Sequence, residues 1–389
     1  VKVTVDRLEL KKAISIAKSY LPAKPLIEVD GELLMTLKDG KFSVSATDNQ
    51  QACFIDIDVL EFEGEGKFSC DPKRVDKALT KSSCLSVELD YDPVEYTLEL
   101  VLGKDTSVIS FKTFPTDKMS NFKPNIEGCH YRAAVNTKIL YTGIKYLQAF
   151  TPYKNDVSKK YDFAIIGGGI MYSANGVNKR GYFISRELAE IKDTKIQKKF
   201  METLGKSLFI LDCEKVVVIE RDSVTTIESE DGKFISHMLK SRSVPPDMPK
   251  QYIQVKGDPY TTVNREKLIK SIDRSTSASY SKVGTPIGLQ LTVSGSGEES
   301  TLKTDMITNA LKTIDSVECI RHDDGDGEVS NLLDYKLFKT ILSSFSKEGE
   351  TRLYINQPDL KYFKIYAKGE IEGIPFAEVG VGAYSRRVR

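Results

Sequence analysis

Three histidines, six cysteines and one acid-rich turn are the groups in this chain best equipped for catalysis or metal binding. His130, His237 and His322 fall in different parts of the sequence and share no local motif. A structural zinc site takes four Cys or His ligands at short spacings such as Cys-x-x-Cys. Cys53, Cys70, Cys84, Cys129, Cys213 and Cys319 form no such pair, and most sit in apolar runs such as QACFI and LFILDC. They read as reduced, mostly buried thiols of a cytosolic protein. The run HDDGDGE (322–328) has carboxylates suited to calcium, but counting from Asp324 puts Val329 where a calcium loop requires glycine. It reads as an acidic turn. The glycines of IIGGGIM (165–171) lack the spacing of a phosphate-binding loop and lie between two strand patterns, which predicts a hairpin. No Gly-x-Ser-x-Gly elbow is present. These residues predict no catalytic site, no metal and no cofactor.

The positioning elements are more informative. VTVDRLELKKAI (from residue 3), AAVNTKILYTGI (from 133) and TTVNREKLIKSI (from 261) align without gaps. Val5, Val135 and Val263 coincide, then Asp6, Asn136 and Asn264, then Leu10, Leu140 and Leu268, then Ile14, Ile144 and Ile272. Each column has a physical reason. The valine ends a strand, and Asp or Asn caps the free N–H groups of the next helix. Leu and Ile four residues apart bury together on one helix face. The offsets of 130 and 128 residues divide the 389-residue chain into thirds, predicting three repeated domains at 1–128, 129–257 and 258–389. After the first helix each third shows a hairpin pattern, at 33–48, 163–175 and 287–305. A second helix follows within 68–83, 184–204 and 330–345, the middle one readable as one long helix or two short pieces, and further strands close each third. The fold class is therefore α+β, with each third two helices packed on antiparallel sheet.

Charge is partitioned along these elements. Six helix segments (5–20, 71–83, 135–150, 184–206, 263–274 and 334–347) each carry net +2, or +12 together. The whole chain is only +1, so everything outside them is −11. Helices lining one common surface would make it basic, able to neutralise phosphates without reading bases. The aromatic interleaving of single-strand binders is missing from these helices, which favours duplex DNA backbone. No apolar run approaches 18 residues and no signal-peptide pattern opens the sequence, so a cytoplasmic protein with no membrane partner is expected.

Three α+β repeats with basic helices in a neutral chain resemble the bacterial DNA polymerase sliding clamp, the β subunit of DNA polymerase III. FSVSATDNQ (42–50), SCDPKRVDKAL (69–79), SFKTFPTDKMSNF (110–122) and DGKFISHMLKSRSVPPDMP (231–249) are similar to family segments in the same order. The resemblance implies a head-to-tail homodimer forming a ring of six domains. Its helices would line the hole and its sheets the rim. It implies a non-catalytic processivity factor that encircles double-stranded DNA. Through short linear motifs it would tether the replicative polymerase, the clamp loader and repair proteins at a hydrophobic pocket between domains two and three.

Carried over by motif, Tyr161, Ala174, Gly176, Val177 and Pro246 match pocket positions, with Tyr384 and Val388 as tail candidates. Ile109 and Phe111 match apolar positions at the subunit seam. Lys24, Lys159 and Lys160 match DNA-facing positions, and Arg7, Lys11, Lys12, Lys138, Lys145, Arg265, Lys270 and Arg274 are the candidates on the first helices. Two departures stand out. Val177-Asn178 replaces the family's His-Arg pair, and the chain closes on AYSRRVR (383–389) in place of Met-Pro-Met/Leu-Arg. The departures motivate an alternative: a divergent clamp-like, DNA-associated scaffold that is not the main replicative clamp.

Overall fold

The computed structural model describes the chain except for residues 104–106, 120–125, 152–162, 176–178, 241–252, 254–258, 280–285, 309–311, 324–326, 347–348, 356–361 and 384–389. The first third runs β1 (Lys2–Asp6), α1 (Arg7–Ala17), β2 (Leu33–Lys38), β3 (Lys41–Thr47), β4 (Gln51–Ile57), β5 (Val59–Glu63), β6 (Gly66–Cys70), α2 (Pro72–Lys81), β7 (Ser86–Asp92), β8 (Thr97–Leu102) and β9 (Ser107–Lys112). The second runs β10 (Cys129–Asn136), α3 (Thr137–Gln148), β11 (Phe163–Gly167), β12 (Ile170–Asn175), β13 (Lys179–Ser185), β14 (Thr194–Gln197), α4 (Lys198–Ile210), β15 (Lys215–Arg221), β16 (Val224–Ser229) and β17 (Phe234–Leu239). The third runs β18 (Tyr260–Asn264), α5 (Arg265–Ser279), β19 (Pro286–Ser294), β20 (Ser300–Thr308), β21 (Lys312–His322), β22 (Val329–Leu333), α6 (Tyr335–Leu342), β23 (Glu350–Tyr354), β24 (Tyr362–Ile371) and β25 (Ile374–Ala383).

The aligned phrase does the same work three times. Asp6 accepts from the Leu8 and Glu9 amides, Asn136 from those of Lys138 and Ile139, and Asn264 from that of Lys267. Leu10, Leu140, Leu268, Ile14, Ile144 and Ile272 are fully buried. Each cap contributes about 1 kcal/mol, and truncating any one of these side chains to alanine costs roughly 2–5 kcal/mol. The hairpins also form as read. Asp39 and Gly40 take positive φ between β2 and β3, and Gly168 and Gly169 do so between β11 and β12, the geometry of a two-residue hairpin. The 184–204 segment differs from both readings of it. It holds a one-turn helix at Arg186–Leu188, then β14, and only then α4. Thr194-Lys195-Ile196-Gln197 alternates in burial and pairs with β11, a tertiary contact that outweighs the helical appearance of the segment.

The chain forms two compact units, Val1–Leu140 with Lys199–Ser241, and Tyr141–Lys198 with Arg242–Arg389. In the first unit, β10-β15-β16-β17 continues across a β17–β4 pairing into β4-β3-β2-β6, and a second sheet runs β5-β1-β7-β8-β9. In the second unit, β14-β11-β12-β13 continues across a β13–β25 pairing into β25-β24-β23-β18, then β21-β20-β19-β22. The second third thus gives one half-sheet to each unit.

Both seams have a large aromatic ring beneath them at one repeat position. Tyr20 follows Val5 at the same spacing as Phe150 follows Val135. In the first unit, Tyr20 donates from Oη to Ser236 Oγ at 2.8 Å and accepts from Ser207 Oγ at 3.4 Å. In the second, Gly181 faces Gly380 across the β13–β25 pairing. A Cβ on Gly181 would lie 2.4 Å from the Phe150 ring, and one on Gly380 2.3 Å from Ile341 Cγ2. Glycine is required there because Phe150, just past the end of α3, and Ile341 of α6 press on the sheet.

Glu378, beside this seam on β25, is buried and accepts the Ser346 amide at 3.0 and 3.2 Å. Burial pushes its carboxyl up to about 7, against the opposing pull of the Ser346 bonds and the Arg265 charge. Unfolding returns it to the ordinary glutamate range, so the folded chain holds the extra proton between that range and about pH 7. Stability from this group is full below that window and is lost as pH rises through it. Urea midpoints measured from pH 4.5 to 8 are therefore expected to fall less steeply for Glu378→Gln than for the parent.

Candidate functional site

With the helix limits observed, α1 and α3 to α6 each carry net +2 and α2 carries +3. That makes +13 against +1 for the chain, leaving −12 elsewhere. The partition read from sequence persists because the helices bury an apolar face and keep most of their cations off it. In α2, Pro72, Val75, Ala78 and Leu79 are buried while Lys73, Arg74, Lys77 and Lys81 are exposed.

The cations named from sequence are placed differently from one another. Lys12, Lys24, Lys138, Lys145 and Lys270 are exposed, and Lys11 is half-buried. Lys145 also lies over the Tyr141 ring, 5.7 Å from its centroid. Arg274 is exposed but bonded from Nε to Asp315 at 2.6 Å, an ion pair worth under about 1 kcal/mol at a surface and open to exchange. Arg7 and Arg265 serve the fold. Arg7 donates from Nε to the Cys84 carbonyl at 2.6 Å and from Nη1 to the Leu79 carbonyl at 3.0 Å. The second bond satisfies a carbonyl left open in the last turn of α2, and the first ties down the loop that follows it. Arg265, at the matching repeat position, is only 6% exposed and lies over the Phe345 ring near Glu378. Lys159 and Lys160 lie outside the described residues. Sequence reasoning reaches the α2 cations Lys73, Lys77 and Lys81 only through their segment's charge. The alternation of Lys and Arg with Val75, Ala78 and Leu79 is the signal that marks them individually.

Of the pocket positions, Ala174 is buried on β12 among Phe163, Tyr172, Tyr182, Tyr354 and Val379. Arg352 stacks over Tyr260 and Tyr366, at 4.7 and 5.8 Å from the ring centres. Tyr161, Gly176, Val177, Pro246, Tyr384 and Val388 lie outside the described residues, as do Asp324, Gly325 and Asp326 of the acidic turn. Ile109 and Phe111 sit on β9, which among the described residues pairs only with β8. Ile109 and its neighbour Val108 are exposed, whereas Phe111 is buried.

The three histidines are separately engaged: His130 with Asp222 at 2.6 Å, His237 with Thr226 at 2.9 Å and His322 with Thr262 at 3.0 Å. Burial and the nearby Arg221 push His237 down to about 4, so it is neutral at physiological pH. No cluster of three or more metal-binding side chains occurs among the described residues, and none of their helices is long and apolar enough to cross a membrane.

The two arginine placements separate structural from surface cations. Arg7→Met should lower stability by about 1–3 kcal/mol, since it strands two carbonyls. Lys77→Met should change it by less than about 0.5 kcal/mol. Denaturant midpoints of the two variants check this, and equal losses would contradict it.

No family model matches the chain, and no curated protein matches it. Solved structures do. A DNA polymerase III beta subunit from Thermotoga maritima is 18% identical, with 99% of each chain covered and a TM-score of 0.79. The DNA polymerase III subunit beta from Pseudomonas aeruginosa is 14% identical, covering 99% of this chain and 100% of that one, with a TM-score of 0.78. A DNA polymerase sliding clamp from Caulobacter crescentus is also 14% identical over 99% and 100%, with a TM-score of 0.73. Over nearly its whole length, this chain has the fold of the DNA polymerase III beta subunits, the sliding clamps.

Proposed function

We propose that this protein is a DNA sliding clamp. In this reading two copies close head to tail into a ring of six domains around double-stranded DNA. The ring performs no reaction. It tethers a replicative polymerase, a clamp loader and repair proteins. The three domains of each copy are 1–128, 129–257 and 258–389. Exposed helix cations such as Lys12, Lys73, Lys77, Lys138 and Lys270 meet phosphates, with Lys24, Lys159 and Lys160 adding to them. Partner peptides enter beside Ala174, with Tyr161, Gly176, Val177, Pro246, Tyr384 and Val388 completing the pocket.

The observation that carries the reading is a pairing rule with two edges left over. The last strand of one half-sheet, β17 or β25, pairs with an edge of the preceding third, β4 or β13. By that rule β9 of the first third, paired only with β8, and the start of β21 in the third, paired only with β20, each keep one edge without a partner strand among the described residues. Both are apolar and open: Val108 is 51% exposed and Ile314 64%. An open apolar strand edge is a template for another chain. Pairing β9 of each copy with β21 of the other uses both edges twice and closes a two-fold assembly.

The protein should run at twice its chain mass in light scattering. It should stay on nicked circular duplex and leave it after linearisation. Ile109→Asp with Ile314→Asp should give a monomer that circles do not retain. A parent that is monomeric and never held by circles would sink the ring reading. Charge reversal at Lys73 and Lys77 should lower retention. It should also reduce the slope of log affinity on log salt by up to ~0.9 for each phosphate no longer neutralised. An unchanged salt slope would remove these helices from the DNA-facing surface.

A further inference from the structure

The first unit holds an apolar recess on the half-exposed side of β2, β3 and β4. Leu34, Thr47, Ala52, Phe54, Val29 and Met119 line it. Ser45, also in its wall, stands five residues beyond Gly40, the second residue of its hairpin turn. Ala174 stands five residues beyond Gly169 in the second repeat. The recess thus occupies in the first repeat the place that Ala174 occupies in the second.

Its contents argue for a ligand on separate grounds. Glu32 lines the recess, is 8% exposed, and its Oε2 is buried without a hydrogen-bond partner among the described residues. Ser69 bonds the same carboxyl, so the side chain is held in place with one acceptor unfilled. An unfilled buried acceptor is destabilising, and a donor arriving with a ligand would relieve it. Acidic groups predominate around it, Asp71 and Glu28 acting on the same carboxyl against the one opposing charge of Arg74. Glu28 and Asp30 lie on the short helix that precedes Glu32, and Asp30 is in the wall. The cavity is about 60 Å³, far below the roughly 300–1,000 Å³ of small-molecule sites and suited to a single side chain. Phe54, 36% exposed, offers a ring face held by edge contact with His237 at 5.8 Å. Leu26 and Ile27, just before this wall in sequence, are exposed at 98% and 56%.

We propose that this recess docks a short peptide of a partner protein, which inserts an aliphatic side chain between Phe54 and Met119 and gives an adjacent arginine to the Glu32 carboxyl. The site lies wholly in the first unit and holds whether or not the ring closes. The aliphatic group answers the apolar wall and the cavity size, and the guanidinium answers the acidic side and the open Oε2.

Full-length protein carrying ¹³C-methyl methionine tests this, with Met119 as reporter, assigned by Met119→Leu. The probes are acetyl-Gly-Leu-Arg-Gly-amide and its Leu-Glu and Ala-Arg counterparts. The Leu-Arg peptide should shift the Met119 methyl saturably. It should bind about tenfold tighter than either counterpart, the scale of one charge-assisted contact or one buried side chain. Glu32→Gln should bring the Leu-Arg peptide down to the level of the Leu-Glu one. Phe54→Ala should weaken both peptides while preserving their difference, which keeps the test open if Glu32→Gln fails to fold. The proposal is overturned if Met119 shows no saturable shift up to about 1 mM peptide, a concentration that detects binding free energies near −4 kcal/mol. It is also overturned if Arg and Glu peptides bind alike, if shifts arise only at other methionines, or if Met119 shifts with protein concentration alone, which would mark a second copy as the occupant.

Discussion

Main-chain hydrogen bonding at strand ends is the constraint on which the rest of this structure depends. A half-sheet of four strands leaves a row of N–H and C=O groups exposed, and such an edge seeks a partner. Here the second third supplies partners in both directions: β17 completes β4, and β13 completes β25. Long sheets of eight and twelve strands result from short local hairpins. The helices then have to fit where two repeats meet, and this requirement dictates unusual residues. Tyr20 reaches Ser236 and Ser207 beneath one seam. Phe150 settles against opposed Gly181 and Gly380 beneath the other. One seam is polar and the other is a close apolar contact, yet each has its ring at the same repeat position.

How much is legible in the sequence follows from the range of the interaction. The caps Asp6, Asn136 and Asn264 act within three residues, and the Leu/Ile pairs within one helical turn, so their spacing is written in the chain. The Asp39-Gly40 and Gly168-Gly169 turns are likewise local, because positive φ selects residue type directly. Pairing between distant strands is not local. Nothing near Cys53 announces that it faces Ser236. The strand β14 is hidden for the same reason. Its alternation spans only four residues, and its partner β11 lies well before it in the chain, with β12 and β13 between them.

Site residues divide along the same line. That helices hold the positive charge can be counted directly, because amphipathic spacing puts the cations opposite the buried face. Which cations stay on the surface depends on distant partners. Arg7 is claimed by the carbonyls of Leu79 and Cys84, and Arg265 is buried over the Phe345 ring. Both follow a cap immediately, at the point where a first helix enters beside the end of a second. Arg7 there fills an open carbonyl of the second helix, that of Leu79. Lys12, Lys138, Lys145 and Lys270, further along the first helices, are exposed.

This division also accounts for a shared fold at 14–18% identity. The constraints are constraints of kind. A cap position accepts Asp or Asn, a buried pair needs aliphatic bulk, and a hairpin turn needs residues that tolerate positive φ. Only where a helix presses on a seam does the requirement narrow to one residue, as at Gly181 and Gly380. In the proposed clamp, helix cations need only add up, since a surface that meets phosphates without reading bases is indifferent to which lysine supplies each charge. A chain under these rules can replace most of its residues and keep its pairing intact.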